Sequence, residues 1–133
     1  MNAARTAAIL VVDDDDDIRR SVVETLEDEG YRVVTARNGQ EALDLLRNSL
    51  PAPSLILLDL MMPVMDGRQF RAEQLKDPAL APIPVVLVTA HAFATQEARE
   101  LTPHGHLEKP FELRDLLKIA ERFCGPPAGG EAL

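Results

Sequence analysis

The chain has 133 residues, of which 46% are hydrophobic, which fits one globular domain that buries roughly two-thirds of its unfolded surface and leaves no room for a second. Aspartate and glutamate number 22 against 14 for lysine and arginine, giving a formal net charge of −8, which argues against nucleic-acid binding because that binding depends on basic side chains. No stretch is apolar enough to span a membrane or act as a secretion signal, and the one cysteine, Cys124, cannot form an internal disulfide, so we expect a cytoplasmic protein.

The first half of the chain alternates between strand patterns and helix patterns. A continuous apolar run at residues 9–12 predicts a strand, and apolar residues recurring every four positions over 18–26 predict a helix that ends at Gly30. The β-branched residues of 31–36 predict a second strand, and the apolar side formed within 42–46 predicts a second helix. The strand-helix unit therefore occurs twice in the first half of the chain.

The second half repeats this unit three more times. Its strands and helices are predicted, in alternation, at residues 55–58, 70–75, 85–88, 93–101, 106–108 and 113–120. The apolar strand runs are continuous rather than alternating, which is typical of strands covered by helices on both faces. Five β-α units predict an α/β protein with a doubly wound parallel sheet.

Polar side chains stand where several of these strands end. Asp13, Asp14, Asp59 and Thr89 all follow or close a predicted strand, and ligands of such sheets bind beyond the carboxyl ends of the strands. Carboxylates ~4 Å apart in an effective dielectric of ~20 repel by about 4 kcal/mol per pair, so a cation is needed among them. Carboxylate oxygens favour Mg²⁺ or Mn²⁺, and Lys109, after the fifth strand, can supply a fixed positive charge.

Four short segments in this order resemble one known family. They are Val11-Val12-Asp13-Asp14, Leu58-Asp59 with Met62-Pro63 and Asp66-Gly67, Val88-Thr89-Ala90, and Lys109-Pro110-Phe111. Over about residues 7–123 the chain resembles the response-regulator receiver domains of two-component signalling, in particular the single-domain, chemotaxis-type members. The resemblance implies a flavodoxin-like sheet of order 2-1-3-4-5 flanked by five helices, a receiver domain at 1–123 and a tail at 124–133, which its Gly and Pro content predicts to be flexible.

The resemblance also implies a chemistry centred on Asp59. That carboxylate accepts a phosphoryl group from a phosphohistidine of a histidine kinase or histidine phosphotransfer protein. Thr89 and Lys109 bind phosphoryl oxygens, the amide of Ala90 assists, and the Lys109-Pro110 bond is cis. Such a protein is not a conventional enzyme, because it catalyses only its own phosphorylation and dephosphorylation.

The metal ligands are implied in the same way. Asp14, Asp59 and the backbone carbonyl of Met61 bind Mg²⁺ directly, Asp13 binds it through a metal-bound water, and Mn²⁺ can take its place. We further predict that the bulk of the Met61 side chain limits in-line attack of water on the acyl phosphate.

The output side departs from the family pattern. Where most receivers have Tyr or Phe, this chain has His106, and the segment 101–105 is about two residues shorter than usual. We expect Thr89 and His106 to form the switch, with a pH-dependent contribution from the imidazole. The implied partners are a downstream protein and a second copy of the chain, the latter through the fourth helix, fifth strand and fifth helix, with no membrane or direct nucleic-acid partner.

Each part of this pattern also has an ordinary structural explanation. Residues 15–17 are better explained as a helix cap with favourable first-turn charges than as ligands. Asp66 and Gly67 are interpreted as a turn in which glycine permits positive φ. Thr89 or Lys109 alone indicates only a strand residue or a surface lysine, and their joint position favours a site.

Zinc is the alternative metal. His91, His104 and His106 contain a His-x-His pair and one distant histidine, but the pattern lacks the second tight ligand pair of a structural zinc site. The sequence therefore disfavours zinc.

Three classes of function remain open from the residues. The full set of Asp13, Asp14, Asp59, Thr89 and Lys109 favours a phosphorylatable signalling switch. The alternatives are a receiver-like protein-binding module that is not phosphorylated and a Mg²⁺-dependent aspartyl-phosphate phosphatase, which would require an Asp-x-Asp arrangement at the nucleophile that is missing here.

Overall fold

The computed structural model describes residues 8–48, 51–90 and 99–126. Within these ranges lie five strands and four complete helices. In chain order they are β1 (Ala8–Val12), α1 (Asp16–Asp28), β2 (Arg32–Ala36), α2 (Gly39–Asn48), β3 (Leu55–Leu58), α3 (Gly67–Lys76), β4 (Val85–Thr89), β5 (Gly105–Glu108) and α4 (Leu113–Cys124). The strands are parallel in the order β2-β1-β3-β4-β5, which confirms the predicted sheet.

The helix predicted at 93–101 is the one that the structure describes only in part. Residues 93–98 lie outside the described residues, whereas Arg99 and Glu100 are helical. The described residues therefore contain four complete helices where five were predicted, and the last predicted helix is α4.

Two hydrophobic clusters pack on the two faces of the sheet. Leu10 and Val12 of β1 point into the cluster that includes α2 and α3, and the alternating residues Ile9 and Val11 point into the cluster that includes α1 and α4. All four residues of β3 are buried, because helices cover both of its faces. The continuous apolar runs in the sequence are explained by this two-sided burial.

Capping groups set where the helices begin and end. The Asp15 side chain accepts hydrogen bonds from the amides of Asp17 and Ile18 at the start of α1, which confirms its predicted capping role. Gly30, at φ 97°, follows the end of that helix, as predicted. At α3, Asp66 and Gln69 form a capping box.

Two polar side chains of α3 are buried. Arg71 is 3% exposed and Gln74 is 0% exposed. The Arg71 guanidinium donates to the carbonyl oxygens of Leu101 and Thr102 at 3.0 Å and to Oε1 of Gln74 at 2.8 Å. This network joins α3 to the short segment that leads into β5, and the sequence analysis missed it.

The end of the domain is anchored to Tyr31, the residue before β2. α4 extends to Cys124, the first residue of the predicted tail, and the hydroxyl of Tyr31 donates to the carbonyl oxygen of Gly125 at 2.8 Å. Residues 127–133 of that tail lie outside the described residues. In the part of the chain that is described, no helix has the length and apolar content needed to cross a membrane.

Candidate functional site

The sheet register brings the ends of β1 and β3 together. Val12 pairs with Leu58, and the amide of Asp59 donates to the carbonyl oxygen of Val12 at 3.0 Å. Each strand then continues into a carboxylate, Asp13 after β1 and Asp59 after β3. Adjacent parallel strands thus place these two carboxylates side by side at one edge of the sheet.

Three acidic residues meet at this edge. Asp13, Asp14 and Asp59 each offer one carboxylate oxygen, and these oxygens lie within 4.8 Å of one another. Asp13 and Asp59 are buried, whereas Asp14 is exposed. The cluster is therefore closed on its protein side and open to solvent at Asp14.

Lys109 brings a positive charge to the same cluster. Its Nζ atom lies 2.9 Å from Oδ2 of Asp13 and 3.6 Å from Oδ2 of Asp59. The peptide bond between Lys109 and Pro110 is cis, as the resemblance implied. Burial acts to lower the Lys109 pKa, but the hydrogen bond with Asp13 and the charge of Asp59 outweigh it, so that pKa is raised above its ordinary value.

The surroundings of Asp59 disfavour ionisation of its carboxyl group. Burial, and then the neighbouring charge of Asp13, raise the pKa of Asp59 to about 6, although Lys109 and the Met61 amide oppose the shift. The Met61 amide lies 3.4 Å from Oδ1 of Asp59. A further cation near Asp59 therefore favours the ionised carboxylate, the form that can act as a nucleophile.

The donor set fits a divalent cation. Its protein ligands are hard carboxylate oxygens, which suit Mg²⁺ or Mn²⁺ rather than soft metals. Of the three carboxylates in this cluster, Lys109 pairs with those of Asp13 and Asp59, so negative charge remains for an ion to neutralise. The exposed Asp14 leaves a path for an ion and its waters to enter.

Gly67 sits against the backbone of Asp59, and its predicted role was wrong in one respect. It does not have the positive φ expected of a turn glycine. Instead, a Cβ at this position would lie 2.5 Å from the carbonyl oxygen of Asp59 and 2.8 Å from Cα of Leu60, and the Gly67 amide donates to the Leu60 carbonyl at 2.9 Å. The glycine is required because α3 starts in contact with the main chain of Asp59.

The backbone around Asp13 is held by residues that the sequence analysis did not select. Nη1 of Arg19 donates to the Asp13 carbonyl oxygen at 2.8 Å, and the amide of Asp15 donates to Oδ1 of Asp13 at 2.9 Å. No residue pattern distinguishes Arg19 from its neighbour Arg20, because the partner of Arg19 is a backbone carbonyl oxygen, which every residue has.

Thr89 and His106 lie on neighbouring strands. Thr89 ends β4 and is buried, and its carbonyl oxygen accepts a hydrogen bond from the Lys109 amide at 3.1 Å. His106 pairs with Leu87 on the edge strand β5 and is exposed. The geometry thus places Thr89 beside the lysine, whereas a switching role for His106 stays a prediction.

The histidines do not assemble into a metal site in the described part of the chain. There, the one group of three candidate ligands consists of the acidic residues at the strand ends, and His91 lies outside the described residues. Nδ1 of His104 accepts a hydrogen bond from the Val85 amide at 3.1 Å. This contact gives His104 a structural role at the start of β5.

Comparisons with known proteins agree with this geometry. Residues 9–121 match the family described as response regulator receiver domain. Transcriptional regulatory protein PdtaR of Mycobacterium tuberculosis is 33% identical over 121 residues, which are 90% of this chain and 58% of PdtaR. This chain spans about half the length of the curated relatives that it matches.

Two solved structures are similar to this chain over most of their length. Chemotaxis response regulator CheY4 of Vibrio cholerae is 34% identical with a TM-score of 0.80, covering 89% of this chain and 98% of CheY4. The receiver domain of sensor histidine kinase PA1611 from Pseudomonas aeruginosa PAO1, solved with a magnesium ion coordinated in its active site cleft, is 26% identical with a TM-score of 0.81, covering 90% and 98% of the two chains.

Proposed function

The chain belongs to the response-regulator receiver family, and from this premise we propose that it is a phosphorylatable signalling switch whose phosphoacceptor is Asp59. The phosphoryl donor is a phosphohistidine of a histidine kinase or histidine phosphotransfer protein. The observation that carries the proposal is the position of Asp59, buried at the end of β3 with the Lys109 ammonium 3.6 Å from its carboxylate. A buried carboxylate that shares an ammonium group can accept a phosphoryl group when further positive charge offsets the negative charge that the phosphoryl group brings.

Mg²⁺ is the proposed cofactor. Asp14, Asp59 and the backbone carbonyl of Met61 would hold it directly, and Asp13 would hold it through water, with Mn²⁺ as a substitute. When bound, the ion neutralises the carboxylates and the phosphoryl oxygens, which lowers the repulsion between nucleophile and donor. The support for the three carboxylates is that their oxygens lie within 4.8 Å of one another, whereas the Met61 carbonyl and the water link to Asp13 are what the family resemblance implies.

The protein's own groups perform the transfer. An oxygen of Asp59 attacks phosphorus, a P–O bond forms, and the P–N bond to the donor imidazole breaks. The electron pair stays on that nitrogen, and because the other ring nitrogen carries a proton, the donor leaves as neutral imidazole. Lys109 pairs with one phosphoryl oxygen and the Thr89 hydroxyl donates to another. In dephosphorylation, water attacks the same phosphorus, the P–O bond to Asp59 breaks, inorganic phosphate leaves, a proton from the water passes to solvent, and the Asp59 carboxylate is regenerated. The exposed Met61 side chain slows this attack by its bulk.

The signal leaves the site through protein contacts. We propose that Thr89 and His106 couple phosphorylation to the surface of β5 and α4, where a downstream protein or a second copy of the chain binds in the cytoplasm. Replacing His106 with Phe tests the coupling. If the phosphorylation-induced spectral changes and their pH dependence are the same in His106→Phe and the parent, His106 has no switching role.

Acetyl phosphate provides the direct test of the proposed function. Incubation with acetyl phosphate and Mg²⁺, followed by intact-mass analysis, is expected to show one phosphoryl adduct that is lost in Asp59→Asn. Absence of an adduct in the parent would favour a binding module that is not phosphorylated. Continuous release of phosphate without a persistent adduct would favour an aspartyl-phosphate phosphatase.

A further inference from the structure

We propose that Arg19 is a positioning residue for the metal site: its guanidinium holds the peptide group between Asp13 and Asp14 so that both carboxylates face the same cation. The inference rests on the proposed Mg²⁺ site. It adds a residue from α1 that contacts neither the ion nor the phosphoryl group.

Arg19 is held against the loop that precedes its own helix. Its Nη1 atom donates to the Asp13 carbonyl oxygen at 2.8 Å, and its Nη2 atom pairs with the Asp16 carboxylate. The Arg19 side chain is 14% exposed, although α1 is a surface helix. The guanidinium therefore bridges the acidic loop and the first turn of α1 with two of its nitrogens, a geometry that suits its planar fork.

The contact fixes the link between the two acidic residues. The amide of Asp13 donates to the Ala36 carbonyl at 3.1 Å, so β2 holds one side of Asp13 and Arg19 holds the other. Because a peptide unit is planar, fixing the Asp13 carbonyl also fixes the direction in which the chain enters Asp14. Asp14 is exposed, so packing contributes little to its orientation, and the hydrogen bond from Arg19 supplies the constraint instead.

The charge of Arg19 and its positioning role predict opposite effects of its removal on Mg²⁺ affinity. A guanidinium near a cation site repels the incoming ion, so its removal should tighten Mg²⁺ binding if geometry is unimportant. If Arg19 acts by positioning, its removal should weaken binding instead. The sign of the change therefore separates the two explanations.

Arg20 provides a matched control on the same helix. Its side chain is 68% exposed and lies 3.6 Å from the Asp17 carboxylate. Arg20→Gln and Arg19→Gln remove the same charge from adjacent positions, but only Arg19→Gln removes a hydrogen bond to the Asp13 carbonyl.

The test measures Mg²⁺ dissociation constants of the parent and both variants by calorimetry. We expect Arg19→Gln to weaken binding on the order of tenfold, as is usual when a residue that orients a ligand is lost. Arg20→Gln is expected to bind Mg²⁺ as tightly as the parent or more tightly. In the metal-free proteins, the carbonyl ¹³C resonance of Asp13 should move upfield in Arg19→Gln alone.

The outcomes separate this inference from the proposed function. If the parent binds Mg²⁺ and Arg19→Gln binds it as tightly as Arg20→Gln, the positioning role is wrong and the metal site stands. If the parent does not bind Mg²⁺, the proposed metal site fails, and the inference fails with it. An unchanged Asp13 carbonyl resonance in Arg19→Gln would also overturn the inference, independently of the metal.

Discussion

Lys109 donates a hydrogen bond to Asp13 at 2.9 Å across 96 positions of sequence. The two residues follow strands that are separated in the sheet by β3 and β4, so the contact spans the carboxyl edge of four strands. It is possible because both side chains point over the end of β3, where Asp59 lies 3.6 Å from the same ammonium. One lysine thus offsets part of the repulsion among the acidic residues.

Removal of this lysine should destabilise the metal-free protein. Lys109→Met leaves Asp13 and Asp59 without their shared cation, and we expect the free energy of unfolding to fall by about 1–3 kcal/mol. Lys118→Met, at an exposed position of α4, is the control and should change it by less than about 0.5 kcal/mol. Urea unfolding in the presence of a chelator measures both.

Mg²⁺ should then reduce the difference between Lys109→Met and the parent, because the ion supplies positive charge to the same carboxylates. An equal loss with and without Mg²⁺ would show that the lysine stabilises the fold by packing and not by its charge.

Stability of the metal-free protein should depend on pH through Asp59. Its pKa is raised from 3.8 to about 6, so the folded state keeps the proton that the unfolded chain loses first. The contribution of the protonated Asp59 carboxyl group to stability is fully present below about pH 4 and is lost as pH rises through about 6. Its loss lowers the free energy of unfolding by about 2–3 kcal/mol.

Asp59→Asn should remove the fall in stability that accompanies ionisation of Asp59. The variant should therefore become more stable than the parent between about pH 4 and pH 7. Urea unfolding at a series of pH values measures the difference, with Asp28→Asn, at the exposed end of α1, as the control. A constant difference between Asp59→Asn and the parent across this range would contradict the raised pKa.

Gly67→Ala should disturb both the fold and the site. The added methyl group would lie 2.5 Å from the Asp59 carbonyl oxygen, and that main-chain atom cannot move without shifting Asp59. We expect a loss of about 2–3 kcal/mol in the free energy of unfolding and weaker Mg²⁺ binding. Gly105→Ala is the control, since its methyl group would meet Val86 at 3.4 Å.

Weaker Mg²⁺ binding in Gly67→Ala should therefore accompany its loss of stability, whereas Gly105→Ala should bind Mg²⁺ like the parent. If the two alanine variants are equally stable, the close approach of α3 to Asp59 has no energetic consequence.

Arg71→Met should destabilise the fold although Arg71 is not part of the acidic cluster. The change leaves the carbonyls of Leu101 and Thr102 and the Gln74 side chain without their donor, so we expect a loss of about 2–4 kcal/mol. Arg68→Met, three residues earlier at a position that is 49% exposed, should cost less than about 1 kcal/mol.

The double variant Arg71→Met/Gln74→Met should lose less stability than the sum of the single variants, because each single change already breaks the bond between them. Chemical unfolding of all three proteins provides the cycle. Additive losses would mean that Arg71 and Gln74 act independently.

The sequence contains enough to predict the site because its determinants are local. Each apolar run is followed by the polar residue that the strand end presents, so reading Asp13 after β1 and Asp59 after β3 requires no tertiary information. The resemblance supplied the strand order, and the register in which Val12 pairs with Leu58 then brings the carboxylates together as expected.

The helix at 93–101 and the role of His106 were less accessible to sequence. Helical periodicity predicts an element but not its packing, and of the predicted range only residues 99–101 are described, among which Arg99 and Glu100 are helical. His106 lies on the edge strand, where exposure depends on neighbours that no local pattern specifies.

By itself, the sequence determined the alternation of strands and helices and the acidic residues at the strand ends, since hydrophobic periodicity and chain order encode both. Only the tertiary structure decided that Arg19 holds the Asp13 carbonyl, that Arg71 is buried, and that Gly67 touches Asp59. These contacts join a side chain or a missing Cβ to backbone atoms of another segment. Backbone atoms are the same in every residue, so no pattern of residue types could have revealed them.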